Sequence, residues 1–290
     1  MKKTIMILGS HSFSGACFMN MILKKNTYKI ISIFNSKKKN LPPYTKYIDG
    51  NFESYKINLL KDVNKLTKIV LKKKPNYIID FASNCNVDLS WKDTEKISKI
   101  NFLSKINFIK NIKNSKFLKK YIYISTPEIF GSSYNFVNEN TTKFNPTSPY
   151  ATSKLSFELF LKNYSKTFKF PAIISRFSNF YGEYQSENRL IPKLINCVLK
   201  KQKFILQGKG DFLRSYIYIE DVCNGLEKII KKGKPGNNYH FSTNQFFTTK
   251  QVIKLICKKY RLNFSSFIKY GKRRISQDKC YKLECKLTQK

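Results

Sequence analysis

Short, wholly apolar runs alternate along this chain with longer stretches in which apolar residues recur every three to four positions. "TIMIL" (4–8) is apolar almost throughout, as a strand buried on both faces must be. It runs into the small-residue turn "GSHSFSG" and then into "ACFMNMILKK", whose spacing predicts a helix. The same order repeats: "YKIISIF" (28–34), "PNYIIDFAS" (75–83), "KYIYIST" (120–126) and "FPAIISRF" (170–177) read as strands. "VNKLTKIVLKKK", "KINFLSKINFIKNIKNS" and "ATSKLSFELFLKNYSKTF" read as helices among them. Strands that alternate with helices form a parallel sheet covered on both faces. The pattern therefore predicts an α/β fold, a Rossmann-type doubly wound parallel sheet. Past residue 180 the alternation loosens into loops, a helix and short strands, and "NNYHFS" (237–242) is expected to return a strand to the main sheet.

The first turn indicates a use for such a sheet. Gly9, Ser12 and Gly15 give the spacing G-x-x-S-x-x-G between a strand and a helix. Small residues there let backbone N–H groups at the positive end of the helix approach a pyrophosphate. Ser12 keeps the position small and adds a hydroxyl donor. Residues 1–180 are thus expected to form a dinucleotide-binding domain, rejoined by 217–245, and 181–290 mainly a smaller, mixed substrate-binding region. The end of the second strand bears on the cofactor, because a carboxylate there binds the ribose hydroxyls of NAD and basic groups suit the 2′-phosphate of NADP. Here Phe34 stands where the acid would be, followed by Asn35, Ser36 and Lys37. The expected cofactor is NAD or NADP, with a lean to NADP.

"YATSK" places Tyr150 and Lys154 four residues apart on one face of a predicted helix. An ammonium beside a phenol favours the phenolate, so Tyr150 is expected to take a proton from a sugar or alcohol hydroxyl while hydride leaves for the nicotinamide. Thr126, at the carboxyl end of a neighbouring strand, is expected to hydrogen-bond the same oxygen.

With these residues in view, the chain resembles the extended short-chain dehydrogenases/reductases that act on nucleotide sugars. The likeness runs through "GSHSFSG", "DFASNCNVD", "INF", "STPEIFG", "SPYATSK", "RFSNFYGEYQSENRLIPKLI" and "GKGDFLRSYIYIEDV", and is strongest to dTDP-glucose 4,6-dehydratases. It implies that Thr126, Glu128, Tyr150 and Lys154 are catalytic. Phe13, Ala82 and Asn101 would join Gly9, Ser12, Gly15, Asn35, Ser36 and Lys37 around the cofactor, with Asn101 extending a proton relay. Asn179, Arg189, Arg214 and Arg274 would meet a nucleotide-diphosphate sugar. In such dehydratases hydride leaves sugar carbon 4, a carboxylate removes the proton on carbon 5, an acid protonates the hydroxyl leaving carbon 6, and hydride returns to carbon 6. Base and acid normally follow the threonine as Asp-Glu; this chain keeps Glu128 and has Pro127 in place of the aspartate. The resemblance points to a 4,6-dehydratase-like enzyme, with a 4-epimerase or decarboxylase as the alternative within the family. A non-catalytic dinucleotide- or RNA-binding relative is the alternative outside it. Family analogy adds a homodimer, and the end at Lys290 is expected to leave a short substrate lobe.

Composition changes little. A formal net charge of +37 invites a nucleic-acid partner, yet the lysines are scattered along the whole chain and no basic arm concentrates them. Only six of the 55 basic residues are arginine, so an arginine inside a matching motif reads as one whose planar fork is needed. Seven cysteines without paired spacing and two distant histidines predict reduced thiols in the cytoplasm and no metal site. The apolar run after Met1 is too short for a signal peptide, and no membrane partner is expected.

Overall fold

The structure, a computed structural model, describes residues 2–36, 40–273 and 278–289. Its centre is a seven-stranded, fully parallel sheet of β1 (Thr4–Leu8), β2 (Lys29–Phe34), β3 (Phe52–Lys56), β4 (Tyr77–Asp80), β5 (Lys120–Ser125), β6 (Ala172–Phe177) and β7 (Asn238–Phe241). Their spatial order is β7-β6-β5-β4-β1-β2-β3, which reverses direction between β1 and β4.

Alternation along each strand splits the core into two layers. Ile5 and Ile7, with Ile79 and Ile122, face the helices Phe13–Lys25 and Ile219–Lys232, where Phe18, Ile22, Val222 and Leu226 meet them. Met6 and Leu8, with Ile78, Tyr121 and Tyr123, face the helices Val63–Lys73, Ser104–Ile112 and Pro149–Phe168 through Leu66, Val70, Phe108, Phe157 and Leu161. Each such side chain contributes about 1.5–3 kcal/mol by leaving water. β1 can be apolar from Ile5 to Leu8 because neither of its faces meets solvent there.

The strand expected at 237–242 returns as β7, parallel to β6. A smaller region follows β6. Asn179–Tyr181, Leu213–Tyr218 and Phe246–Thr248 form a three-stranded sheet, and Phe204–Gln207 pairs with Ile268–Gly271. Leu194, Phe204, Leu206, Val252 and Ile253 give this region its own core. Near the end of the chain, Lys282–Leu283 pairs with Phe136–Val137, just beyond the turn that follows β5. Among the described residues no helix is long and apolar enough to cross a membrane.

Candidate active site

The order of strands reverses between β1 and β4, which leaves a crevice outside their carboxyl ends. β1 and β4 run in register to Leu8 and Asp80, so the two turns that follow them meet. Gly9 has φ +74°, and a Cβ there would lie 2.8 Å from the Ala82 amide nitrogen; a Cβ on Gly15 would lie 2.5 Å from the Gly9 carbonyl oxygen. Both positions thus require glycine. Ser12 caps the helix that follows, its hydroxyl accepting from the Gly15 amide at 3.2 Å, and Phe13 packs on Phe180. The result is a cradle of small residues at a helix amino terminus, opening into a cleft of about 900 Å³. Gly9, Ser12, Asn35, Ser36 and Ala82 line one end of it, and Glu128 and Arg189 the other. The cradle and the cleft fit a dinucleotide.

Phe34 is buried at the place where a ribose-binding carboxylate was sought. His11 stacks on it at 4.1 Å and 17°, with Tyr44 hydroxyl 3.2 Å from its Nε2. Lys37 and Arg274 lie outside the described residues.

At the other end, β5 leads into a single 3₁₀ turn, Pro127–Phe130. Thr126 caps it, its hydroxyl accepting from the Glu128 amide at 3.3 Å. Proline suits the first position of such a turn, where the missing N–H costs nothing. Ser148 caps the helix Pro149–Phe168 by accepting from the Ala151 amide, and that helix carries Tyr150 and Lys154 inward, both buried. Thr126 lies near enough to the Tyr150 phenol to favour its ionised form. Tyr150 and Thr126 are thus brought near Glu128, which lines the cleft, while Lys154 lies one turn along the same helix.

The electrostatics differ from expectation at one point. Burial holds the Tyr150 phenol well above its usual range and the Glu128 charge adds to this, while Thr126 and Arg189 oppose it. Lys154 is not directed at the phenol. Its ammonium donates to the Ile124 carbonyl at 2.5 Å and lies 4.1 Å above the Tyr123 ring. Burial, with Lys105 nearby, brings Lys154 down to about 7. Glu128 moves the other way: burial and then the charge of Asp278 push it up to about 7, against Arg214 and Arg189.

Asn101 sits fully buried in a π-helical turn, Lys99–Leu103. It accepts from the Asn84 amide at 2.9 Å and donates to Asn84 carbonyl and Ser153 hydroxyl, both at 3.1 Å. It braces the wall of the cleft against the Tyr150 helix. Arg189 lines the cleft, its Nη2 3.2 Å from Cys85 Sγ. Asn179 accepts from the Tyr281 hydroxyl at 2.6 Å. Arg214 is buried and donates to the carbonyls of Leu213, Asp278 and Lys279 at 2.6–3.3 Å, with Tyr281 stacked 4.4 Å away. In this arrangement it ties down the C-terminal segment rather than presenting an open fork.

Sequence reasoning missed several members of the site. Asp80, at the end of β4, is fully buried against Lys105 at 2.5 Å and Tyr121 at 2.7 Å, and it accepts from the Ala82 amide. Its signal was available, since an aspartate closing the apolar run "YIID" needs a partner. Cys85, Asp278 and Tyr281 carried no such mark. Among the described residues no group of three or more His, Cys, Asp or Glu could hold a metal.

A dinucleotide cleft at the switch point of a doubly wound sheet, with Tyr-x-x-x-Lys on a helix at its rim and Thr at a strand end, defines the class. It is that of short-chain dehydrogenases and reductases. The family model for GDP-mannose 4,6 dehydratase matches residues 6–286, and the chain belongs to that family. It is 35% identical over 268 residues to a dTDP-D-glucose 4,6-dehydratase of Dictyostelium discoideum, covering 87% of this chain and 61% of that protein. With the human dTDP-D-glucose 4,6-dehydratase it shares 30% over 210 residues, 72% of this chain and 57% of the relative. The chain thus spans somewhat under two thirds of the length of these relatives. Among solved structures, a dTDP-glucose 4,6-dehydratase of Bacillus anthracis in complex with NAD superposes with TM-score 0.87 at 24% identity, covering 99% of this chain and 89% of that one. A UDP-glucuronic acid 4-epimerase of Bacillus cereus, in complex with UDP-glucuronic acid and NAD, gives 0.87 at 22%, covering 98% and 91%.

Proposed function

We propose that the protein is a nicotinamide-dependent nucleotide-sugar 4,6-dehydratase. The observation that carries this reading is Glu128, a carboxyl pushed up to about 7 that lines the cleft, on the turn capped by Thr126 and near the Tyr150 phenol. An oxidation and reduction alone needs no such carboxyl.

Gly9, Ser12, Phe13, Gly15 and Ala82 would hold the pyrophosphate, with Asn35, Ser36 and Lys37 toward the adenosine ribose. Bound there, the nicotinamide would supply a hydride acceptor and donor for carbons 4 and 6 of the sugar. Tyr150 takes the proton of the carbon 4 hydroxyl, and Thr126 hydrogen-bonds the same oxygen. Lys154 contributes positive charge beneath them, and Asn101 keeps the wall and the Tyr150 helix in register. Once carbon 4 is a ketone, Glu128 removes the acidified proton of carbon 5. Pro127 has no proton to give, so Glu128 passes the proton it has taken to the hydroxyl leaving carbon 6, and when hydride is returned to carbon 6 the Glu128 carboxyl, reprotonated from solvent, gives carbon 5 its proton. A group that must act first as base and then as acid works best with a pKa near the working pH. Asn179, Arg189, Arg214 and Arg274 are read as the surroundings of the nucleotide diphosphate and sugar, Arg189 directly and Arg214 through the segment it secures.

The lean toward NADP finds no support among the solved relatives, which carry NAD; we read the cofactor as NAD, with the stacked rings of Phe34 and His11 beside its ribose. Residues 1–180 with 217–245 act as the cofactor domain and the remainder as the substrate domain. We read the protein as a cytoplasmic homodimer, in which exposed Leu89, Trp91, Leu103 and Leu159 on neighbouring helices supply apolar surface to a second copy. We assign no role in binding nucleic acid.

Pro127 favours one competing reading, a 4-epimerase, which needs Tyr150, Lys154 and Thr126 but no acid for a leaving hydroxyl. Incubation with a panel of nucleoside-diphosphate hexoses and either NAD or NADP separates the two. A 4-keto-6-deoxy product, formed with NAD in preference to NADP, is expected. Exchange between glucose and galactose configurations without loss of water would sink the dehydratase reading.

A further inference from the structure

One hydrogen bond in the cleft joins the cofactor region to the substrate region, and the mechanism above gives it no part. Arg189 Nη2 donates to Cys85 Sγ at 3.2 Å, across 104 positions of sequence. Both residues line the cleft that also holds Glu128. Cys85 stands between two anchored neighbours. The Asn84 amide donates to Asn101 Oδ1 at 2.9 Å, and the Asn84 carbonyl accepts from Asn101 Nδ2 at 3.1 Å. On the other side, Asn86 Oδ1 accepts from the Leu89 amide at 3.0 Å and caps the helix Val87–Lys92. The backbone that carries the thiol is thereby fixed, and among the described residues Cys85 is the one exposed cysteine. Arg189 is the opposite case. Its amide donates to the Ser186 carbonyl at 2.9 Å, just before the helix Leu190–Leu199, but its guanidinium sits on a long, flexible stem that needs a partner to hold one direction.

We propose that Cys85 is a positioning residue that acts through Arg189, holding one corner of its guanidinium so that the remaining N–H groups face the diphosphate of the substrate. The inference rests on the nucleotide-sugar reading for its purpose. A guanidinium carries five N–H donors in a planar fork, and the thiol takes one of them. Sulfur is a weak acceptor, so it orients the fork and leaves its charge in place. A carboxylate at position 85 would form an ion pair with Arg189 and oppose the charge that a diphosphate needs. A methyl group there would leave the fork to be ordered by the substrate itself, with a loss of affinity. No covalent bond changes and no proton moves; the thiol works through geometry alone.

The test is a double-mutant cycle on the binding of UDP and of dTDP, followed by calorimetry with the full chain and NAD. Cys85→Ala is expected to weaken binding by about three- to tenfold, the worth of an ordinary hydrogen bond, and to have no effect once Arg189→Met is present. Cys85→Ser, which keeps an acceptor, is expected to restore most of the loss. In turnover, KM for the sugar nucleotide follows these values and kcat stays level. A merely structural cysteine would lower thermal stability and leave affinity alone. Losses that add in the double variant, or no loss in Cys85→Ala, overturn the proposal. The contact itself is read without any nucleotide. Arg189 draws an anionic reagent toward the thiol, so the ratio of Cys85 alkylation by iodoacetate to that by iodoacetamide is expected to fall about fivefold in Arg189→Met, as a unit charge about 4 Å away in water implies. An unchanged ratio overturns the proposal. If neither diphosphate binds the wild type, the nucleotide-sugar reading fails, and a lowered ratio still upholds the hold of Cys85 on Arg189.

Discussion

At the scale of the residue, the catalysis we propose depends on two groups whose pKa values are brought near 7 from opposite sides. Burial raises the Glu128 carboxyl and lowers the Lys154 ammonium, each to about 7. Glu128 must be ionised to remove a proton and Lys154 charged to favour the phenolate. The expected kcat profile is therefore a narrow bell, rising as Glu128 loses its proton and falling as Lys154 does, with both limbs near pH 7. Tyr150→Phe should lower kcat by about 10²- to 10⁴-fold, the usual worth of a general base, with dinucleotide binding retained in calorimetry. Gly9→Ala should abolish that binding, because φ +74° and a contact of 2.8 Å to the Ala82 amide leave no room for a methyl group. Sequence alone made these glycines, Tyr150, Lys154 and Glu128 legible, since each belongs to a local pattern with a chemical reason. It gave no notice that Lys154 would turn to the Ile124 carbonyl, nor that Asp278, far along the chain, would accept from the Thr147 hydroxyl just before the Tyr150 helix. Such neighbours are created only by folding.

At the scale of the element, a buried charged network locks the Tyr150 helix to the sheet and to the C-terminal segment. Arg176 on β6 forks onto Glu158 at 2.6–3.2 Å and lies 2.9 Å from His240 Nε2, and the other ring nitrogen of His240 lies 3.0 Å from the Glu284 carbonyl. Phe130, from the catalytic turn, packs 5.1 Å from the same guanidinium. Removing one partner leaves a buried charge exposed to nothing that answers it. Glu158→Gln should thus cost about 3–5 kcal/mol in urea unfolding. His240 is held neutral, pushed down to about 3 by burial and by Arg176, against about 6.5 when unfolded. The unfolded chain binds more protons between these values. The stability that His240 contributes is complete above about pH 6.5 and is lost as pH falls toward 3. His240→Asn should flatten that part of the pH dependence of urea unfolding, and an unchanged slope would place the acid sensitivity elsewhere.

The elements themselves were legible where the apolar pattern was strong. β1, β2, β4, β5, β6 and β7 all appear in the sequence as apolar runs. β3, "FESYK", was missed because an edge strand buries only part of its surface and carries Glu53 and Lys56. The stretch from 99 was read as one helix, but its first five residues form a π turn that faces Asn101 inward. Such a turn often marks a functional site, and no periodicity rule reveals it, since the difference is one extra residue in a single turn.

At the scale of the whole molecule, the chain carries a formal charge of +37, and the substrate we propose for the cleft is a dianionic diphosphate. A field of that sign draws such a substrate in, and salt screens it with a Debye length of about 8 Å at physiological strength. KM for the sugar nucleotide should therefore rise with salt while kcat stays level, as initial rates over a salt series will show. The fold class followed from the rhythm of the chain. The three-stranded sheet and the paired Phe136–Val137 and Lys282–Leu283 did not, because they join segments too short to carry a period.

The central claim is that Glu128 performs an elimination, and the most direct measurement is the product formed in D₂O by wild type and Glu128→Gln from the nucleotide hexose that the panel selects. The account predicts a 4-keto-6-deoxy sugar with solvent deuterium at carbon 5 from the wild type, and none from the variant. A carbon 4 epimer formed equally by both proteins, with no water lost and no deuterium at carbon 5, would contradict it.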